Sequence, residues 1–279
     1  MKYIYIMIIS VVFAGCNRDT DYVITFKTEF GDMKAILYDE TPLHKENFIK
    51  LAKEGRYDST IWHRIIEDFM IQGGDINQKP GNKDSINYTV PAEFNKDFFH
   101  RKGAIGAARL GDKINRKKAS SGCQFYIVDG KVWDEIELTT DMNKMNVEVA
   151  RLIRIPEYDS IGKVLIQTYQ EGRYDDYTKM MLDLVPVVEK RLGSEVTRDI
   201  PKKRLDVYTS IGGSPWLDDD YTVFGQVVEG LEIIDKIGFL AKNKDDKPLQ
   251  DTYLTVEVDE LPKKKITELY GISYPDSEK

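Results

Sequence analysis

The densest run of chemistry-bearing side chains is Trp62-His63-Arg64-Ile65-Ile66-Glu67-Asp68-Phe69-Met70-Ile71-Gln72-Gly73-Gly74-Asp75. Arginine keeps its charge at any physiological pH and presents a rigid fork of N–H donors. Alternate side chains of a strand share a face. Arg64, Met70 and Gln72 have the same parity, so they line one surface if the turn between them keeps register. A cation, an amide and an apolar floor on one surface suit a ligand with one carbonyl and one apolar ring. Singly these residues say little: a lone arginine is usually solvated, Phe69-Met70 is usually core, and Gly73-Gly74 is usually a turn. Only the joint spacing points to a site. His63 is one of three histidines, and Cys16 and Cys123 are the two cysteines. With no Cys or His partners at ligand spacing, neither a metal nor a cofactor is expected. Asp218-Asp219-Asp220 reads as a solvated turn, and so does the basic loop at 110–120 with Lys113, Arg116, Lys117 and Lys118.

Strands are needed to hold such a surface. Residues 22–26 and 33–38 alternate around Gly31-Asp32 and read as a hairpin. Thr41 is placed as an N-cap with Pro42 at the first helical position, and Gly55 ends the helix that follows. Short strands are expected at 61–66, 70–72, 104–108 and 124–128, then at 222–227 and 253–258, with a helix at 231–237. The texture changes from 132 to 209. Asp159-Ser160 starts a helix with apolar Ile161, Val164, Leu165 and Tyr169, and Gly172 ends it. Tyr177, Met180, Met181, Leu184, Val185 and Val188 mark a second amphipathic helix, which Pro186 should kink. The tail from Pro262 is charged and expected to fray.

The run from Trp62 to Asp75 resembles the signature of the cyclophilin family: aromatic-His-Arg, two aliphatics, then Phe-Met-x-Gln-Gly-Gly-Asp. Lys102-Gly103-Ala104-Ile105-Gly106-Ala107-Ala108-Arg109 and Ser121-Gly122-Cys123-Gln124-Phe125-Tyr126-Ile127 are similar to that family's next two segments. Pro215-Trp216-Leu217-Asp218 and Tyr221-Thr222-Val223-Phe224-Gly225-Gln226-Val227-Val228-Glu229-Gly230 resemble the run that completes its barrel. The resemblance covers roughly 21–128 and 210–260. It implies a mainly β fold: a closed eight-stranded antiparallel barrel with capping helices and its site on the outer wall, here interrupted by a helical insertion at 132–209. The isomerase domain would span 22–261, followed by a charged tail at 262–279.

The resemblance also implies peptidyl-prolyl cis-trans isomerisation of proline-containing polypeptides. The amide barrier is about 18–20 kcal/mol, and no bond is made or broken. Catalysis then requires the rotated amide to be bound better than either planar form. The family's pattern gives this role to Arg64, with Phe69, Met70 and Tyr126 holding the proline ring and Gln72 supporting Arg64 and the substrate backbone. Ala108, Trp216, Leu217 and Tyr221 would line the groove, and His63, Arg109, Gln124 and Phe125 would complete the substrate surface. Tyr126 stands where many relatives carry Phe, and Tyr221 where many eukaryotic members carry His.

Residues 1–15 combine Lys2, an apolar run at 4–13 and Ala14-Gly15 before Cys16. That resembles a bacterial lipoprotein signal, with lipid on Cys16 and 16–21 as a tether. The alternative is a plain secretory signal. Asn17 after the cysteine resembles proteins sent to the outer membrane, so the expected place is the cell envelope. A net charge of -7 with both signs dispersed excludes a nucleic-acid surface built on a basic stripe. A second function class stays open: a peptide-binding module that uses the groove and the insertion without turnover.

Overall fold

Alternation builds the first hairpin as expected. In the computed structural model, which describes residues 19–82 and 84–274, β1 (Thr20–Thr28) pairs antiparallel with β2 (Gly31–Leu37). Ile24, Phe26, Met33, Ala35 and Leu37 from this pair are buried in the main core. Helix α1 (Pro42–Lys53) covers one end of that core with Phe48, Leu51 and Ala52. Its N-terminus is not capped by Thr41, whose hydroxyl donates to the Tyr38 carbonyl at 3.3 Å. Glu93 caps it from a distant loop. Its carboxylate accepts from the Leu43 N–H at 3.1 Å, the His44 N–H at 3.0 Å and His44 Nδ1 at 2.6 Å.

The expected strand at 61–66 is divided into β3 (Thr60–Ile61) and β4 (Arg64–Ile66). There follow β5 (Met70–Gly73), β6 (Thr89–Val90), β7 (Ala104–Ala107), β8 (Ser120–Ser121) and β9 (Phe125–Val128). The insertion supplies α2 (Glu135–Thr139), α3 (Met142–Leu152), α4 (Asp159–Gln170), α5 (Tyr174–Asp183), α6 (Val185–Leu192) and α7 (Lys202–Tyr208). The chain then returns with β10 (Val223–Glu229), α8 (Leu231–Gly238), β11 (Tyr253–Pro262) and α9 (Lys263–Tyr270).

Nine strands form one curled antiparallel sheet in the order β3-β11-β1-β2-β10-β7-β9-β5-β4, and β6 pairs with β8 beside it. This is a half-barrel with helices, not the closed eight-stranded barrel expected. The edge strands β3 and β4 are separated in the chain only by Trp62 and His63. The Trp62 N–H donates to the Thr252 carbonyl at 2.9 Å, and the His63 N–H to the Gln72 carbonyl at 3.0 Å. Two residues of chain therefore bridge the edges where a further ladder was anticipated, because each half of 60–66 pairs with a different neighbour.

The insertion has its own core of Met145, Val149, Leu152, Leu165, Met181, Leu184, Val185, Val188 and Val196. The expected single helix across Pro186 is two helices: α5 ends at Asp183, and Pro186 lies in the first turn of α6, where a missing N–H costs nothing. In α4 the buried residues are Gly162, Leu165 and Thr168, whereas Val164 and Tyr169 are about half exposed. Gly162 is there because a Cβ would lie 2.9 Å from Ile153. The insertion joins the sheet domain through Phe99, Leu138 and Tyr208.

Two expectations at the ends change. Thr20 and Asp21, expected in a tether at 16–21, belong to the fold: Thr20 opens β1, and buried Asp21 accepts from Lys45 at 2.6 Å. The leader and Cys16 lie outside the described residues. The tail does not fray through 274, since α9 buries Ile266 completely against Val23, Ile36 and Tyr274. Among the described residues no helix is long and apolar enough to cross a membrane.

Replacing Ile266 with Ala should therefore cost about 2–4 kcal/mol in urea unfolding. A loss below about 0.5 kcal/mol, the usual size of a surface change, would mean that α9 does not dock. A second expectation concerns pH. Burial holds His44, His63 and His100 below the ordinary histidine pKa of 6.5. The unfolded chain takes up these protons first as pH falls, so the stability held in the neutral rings is complete above about pH 6.5 and declines as pH drops through the folded-state values. Thermal unfolding should occur at a lower temperature at about pH 5 than at about pH 7.5, and His44→Gln should shrink the difference. A flat profile across that interval would refute this account.

Candidate active site

The turn between β4 and β5 keeps register. Asp68 adopts left-handed backbone at φ 60°, which a short polar side chain tolerates. Its N–H donates to Asp129 Oδ2 at 3.1 Å, and the Phe69 N–H returns to the Ile66 carbonyl at 3.1 Å. Arg64 thus stands opposite Gln72, and Ile66 opposite Met70. Pairing of β5 with β9 sets Gln72 opposite Tyr126, and pairing of β9 with β7 sets Tyr126 opposite Gly106. One cross-strand row, Arg64-Gln72-Tyr126-Gly106, runs over the outer face. At about 4.8 Å per strand, Arg64 and Tyr126 are anchored ~10 Å apart. Gly106 is required by close approach: a Cβ there would sit 2.2 Å from Tyr126 Cζ.

The alternate residues Ile65, Ile71, Ile105, Phe125 and Ile127 are buried in the main core. Phe125 is therefore not part of a substrate surface. It packs against Phe26, Phe48, Tyr57 and Trp62 on the inner face, because it is one residue out of phase with Tyr126.

Arg64, Phe69, Met70, Gln72, Ala108, Arg109, Tyr126, Leu217 and Tyr221 line a groove enclosing about 410 Å³, open mouth included. Met70 and Tyr126 are almost wholly buried. Trp216 is half exposed at the rim, its ring 5.3 Å from Phe69. Gln124 is one layer back: Gln72 donates to it at 3.1 Å, and it donates to Asp75 at 2.9 Å. His63 is absent from the lining, and its backbone joins β5.

The two arginines differ in how they are held. The Arg109 side chain is 4% exposed, donates to the Asp220 and Leu110 carbonyls and to Asp112, and stacks 4.2 Å over Tyr221. It braces the wall. The Arg64 side chain is 42% exposed, and its ion-pair partner among the described residues is Asp246 at 3.5 Å. Gln72 faces Arg64 in the ladder, yet its amide donates to Gln124. Arg64 is the groove cation with donors left for a ligand carbonyl, above an apolar floor that a small ring fits.

Three features were not legible in advance. Asp246 holds Arg64 from a loop remote in sequence. The hydroxyl of Tyr126 turns inward and meets His100 Nε2 at 2.8 Å, and burial keeps that phenol far above its ordinary pKa. Asp218 is not a solvated turn residue: its side chain is 8% exposed and bonds His100 Nδ1 at 2.9 Å and the Tyr208 hydroxyl at 2.7 Å. Asp219 does lie outside, paired with Arg204, whose hydrogen bonds hold its carboxyl below the usual range. The basic loop folds back onto this acidic rim through a Lys118–Asp220 contact. Among the described residues no group of three His, Cys, Asp or Glu side chains gathers where it could hold a metal ion.

Comparison with known proteins agrees with this geometry. The family model for "Cyclophilin type peptidyl-prolyl cis-trans isomerase/CLD" matches residues 23–149 and 203–258, leaving out most of the insertion. A Staphylococcus saprophyticus protein, provisionally named a peptidyl-prolyl cis-trans isomerase, is 30% identical over 80% of this chain and 84% of its own length. A Staphylococcus epidermidis protein of the same name is 28% identical over 87% and 94%. A crystal structure of a Cryptosporidium parvum cyclophilin-type isomerase covers 87% of this chain and 99% of its own, with TM-score 0.51 and 18% identity, a likeness of fold. A family match on both sides of the insertion and a relative 30% identical over most of both chains lead to one conclusion: the chain belongs to the cyclophilin-type peptidyl-prolyl cis-trans isomerase family.

Proposed function

We propose that this groove isomerises X–Pro peptide bonds in exported polypeptides, from a lipid anchor on Cys16 in a bacterial envelope, at the outer membrane. The observation that carries the catalytic part is the single row that puts Arg64 and Gln72 beside the pocket of Phe69, Met70 and Tyr126. A Cryptosporidium parvum relative of this fold has been crystallised in the presence of the dipeptide Ala-Pro, which matches a pocket for a proline ring.

The physical sequence is short. The proline ring enters the apolar floor, where Met70 and Tyr126 hold it still. Rotation about the C–N bond ends amide resonance and leaves a lone pair on nitrogen while the carbonyl swings. A half-exposed, forked guanidinium can donate to the pyramidal nitrogen only in the twisted state, and its rigid fork can follow the carbonyl as it swings. Its charge and its Asp246 contact exist before the substrate arrives, so little reorganisation is needed. The ring contact is the same in planar and twisted forms and contributes to binding; the Arg64 contact differs between them and contributes to rate.

The location rests on Ala14-Gly15-Cys16 after a short apolar run. With β1 opening at Thr20, four residues of chain from Cys16 reach no more than ~14 Å, so the anchor would hold the domain close to the lipid.

Arg64→Ala should lower kcat/KM on a proline peptide about 100-fold while circular dichroism stays unchanged, because Arg64 is not in the core. Wild-type turnover in that folded variant would refute the mechanism, and no turnover in the wild type would favour the binding-module reading. For location, wild type and Cys16→Ser should separate on cell fractionation, since each buried CH₂ of an acyl chain adds about 0.8 kcal/mol of membrane affinity. Identical soluble partition of both would leave the plain secretory signal.

A further inference from the structure

We propose that His100 is a positioning residue for the groove, and that helix α7 of the insertion acts on the pocket wall through it. His100 is wholly buried and belongs neither to the main core's apolar cluster nor to the residues that line the groove. It sits between two polar groups of opposite need. Its Nδ1 is 2.9 Å from Asp218 Oδ1, and its Nε2 is 2.8 Å from the Tyr126 hydroxyl. A carboxylate only accepts, so Nδ1 carries the proton and Nε2 is left to accept from the phenol. Burial favours the neutral ring that this arrangement needs.

Asp218 is held in turn from the insertion. Its Oδ2 accepts from the Tyr208 hydroxyl at 2.7 Å and lies 3.3 Å from Arg204 Nη1, and both residues belong to α7. Its Oδ1 also accepts the His100 backbone N–H at 2.9 Å. Arg204 forks further to Asp219 and to the Lys96 carbonyl. A continuous set of hydrogen bonds therefore leads from α7 to the phenol of Tyr126, whose ring lines the groove. The ring has little freedom apart from this bond. Gly106 lies against one side, and the His100 ring is parallel to it at 5.9 Å. Without His100 the hydroxyl has no acceptor inside and must either stay unsatisfied or turn toward the groove, displacing the floor.

This inference rests on the reading that Tyr126 holds the proline ring. That contact is made equally in planar and twisted substrate, so its loosening should weaken binding and leave the chemical step alone. The test is exchange NMR on a proline peptide with the mature full-length protein, which separates kcat from KM. His100→Leu should raise KM about tenfold with kcat changed less than about threefold, and Tyr208→Phe should raise KM about threefold from the insertion side. In a Tyr126→Phe background the hydroxyl is gone, and either change should then raise KM less than about twofold further.

A folded His100→Leu with wild-type KM, an equal rise in both backgrounds, or a loss confined to kcat would overturn the proposal. If His100→Leu does not fold, Tyr208→Phe and its cycle with Tyr126→Phe decide by the same criteria. Turnover that depends on Arg64 but ignores His100 and Tyr208 refutes this inference alone. Turnover indifferent to Arg64 refutes the isomerase mechanism beneath it.

Discussion

Everything at the groove depends on strand register. Arg64, Gln72, Tyr126 and Gly106 come from four strands and meet only because β4, β5, β9 and β7 pair in one phase. Side chains alternate with period two, so a slip of one residue would send each of them inward and bring Ile65, Ile71, Ile127 and Ile105 out to water. The core enforces the phase. Phe125, Trp62 and Phe26 fill the inside completely, and no polar neighbour could replace them there without loss of burial. The outer-face row is thus held by what lies behind it, on the opposite face of the same strands.

A polar layer completes the support. The Asp218 carboxylate gathers the His100 N–H, the His100 ring N–H, the Tyr208 hydroxyl and Arg204. A buried donor or acceptor left without a partner costs about 1–3 kcal/mol, so such a hub fixes geometry more firmly than apolar contacts that slide. It also places Leu217 and Tyr221, which flank it in the chain and form part of the groove wall. Arg109, stacked on Tyr221, does the same for the other side. Arg64 is the contrast: it is the groove cation the fold leaves half exposed.

Local pattern and family likeness made much of this legible. The hairpin, the short strands, the helical insertion and the outer-face parity of Arg64, Met70 and Gln72 follow from alternation and turn residues. What escaped was long-range. Nothing near Thr41 announces that Glu93 will cap α1, and nothing near Arg64 announces Asp246. Phe125 shares a motif with Tyr126 but not a face, so motif membership overstated its role. Asp218 looked like surface because it stands in an acidic triplet; its burial is decided by His100 and Tyr208, which are far from it or unremarkable in sequence. The edge of the sheet was misjudged because one run of chain, 60–66, serves two neighbours.

The pairing of β1 with β11 has a consequence for how the molecule comes into being. Among the described residues these are the first and last strands, and their ladder runs from Thr20 opposite Pro262 to Lys27 opposite Thr255. β1 lies in the interior of the sheet, flanked by β2 and β11. While the chain is still emerging, the early hairpin exposes a full edge of unpaired N–H and C=O groups, a template for pairing with other chains. Pairing of β1 with β11 must wait until β11 itself has been made, and contacts so distant in sequence form slowly. The insertion, with a core of its own, is free of that delay. Synthesis of β11 is therefore the event that lets the sheet assemble, and a chain stopped before that strand is an aggregation-prone fragment, not a shortened enzyme.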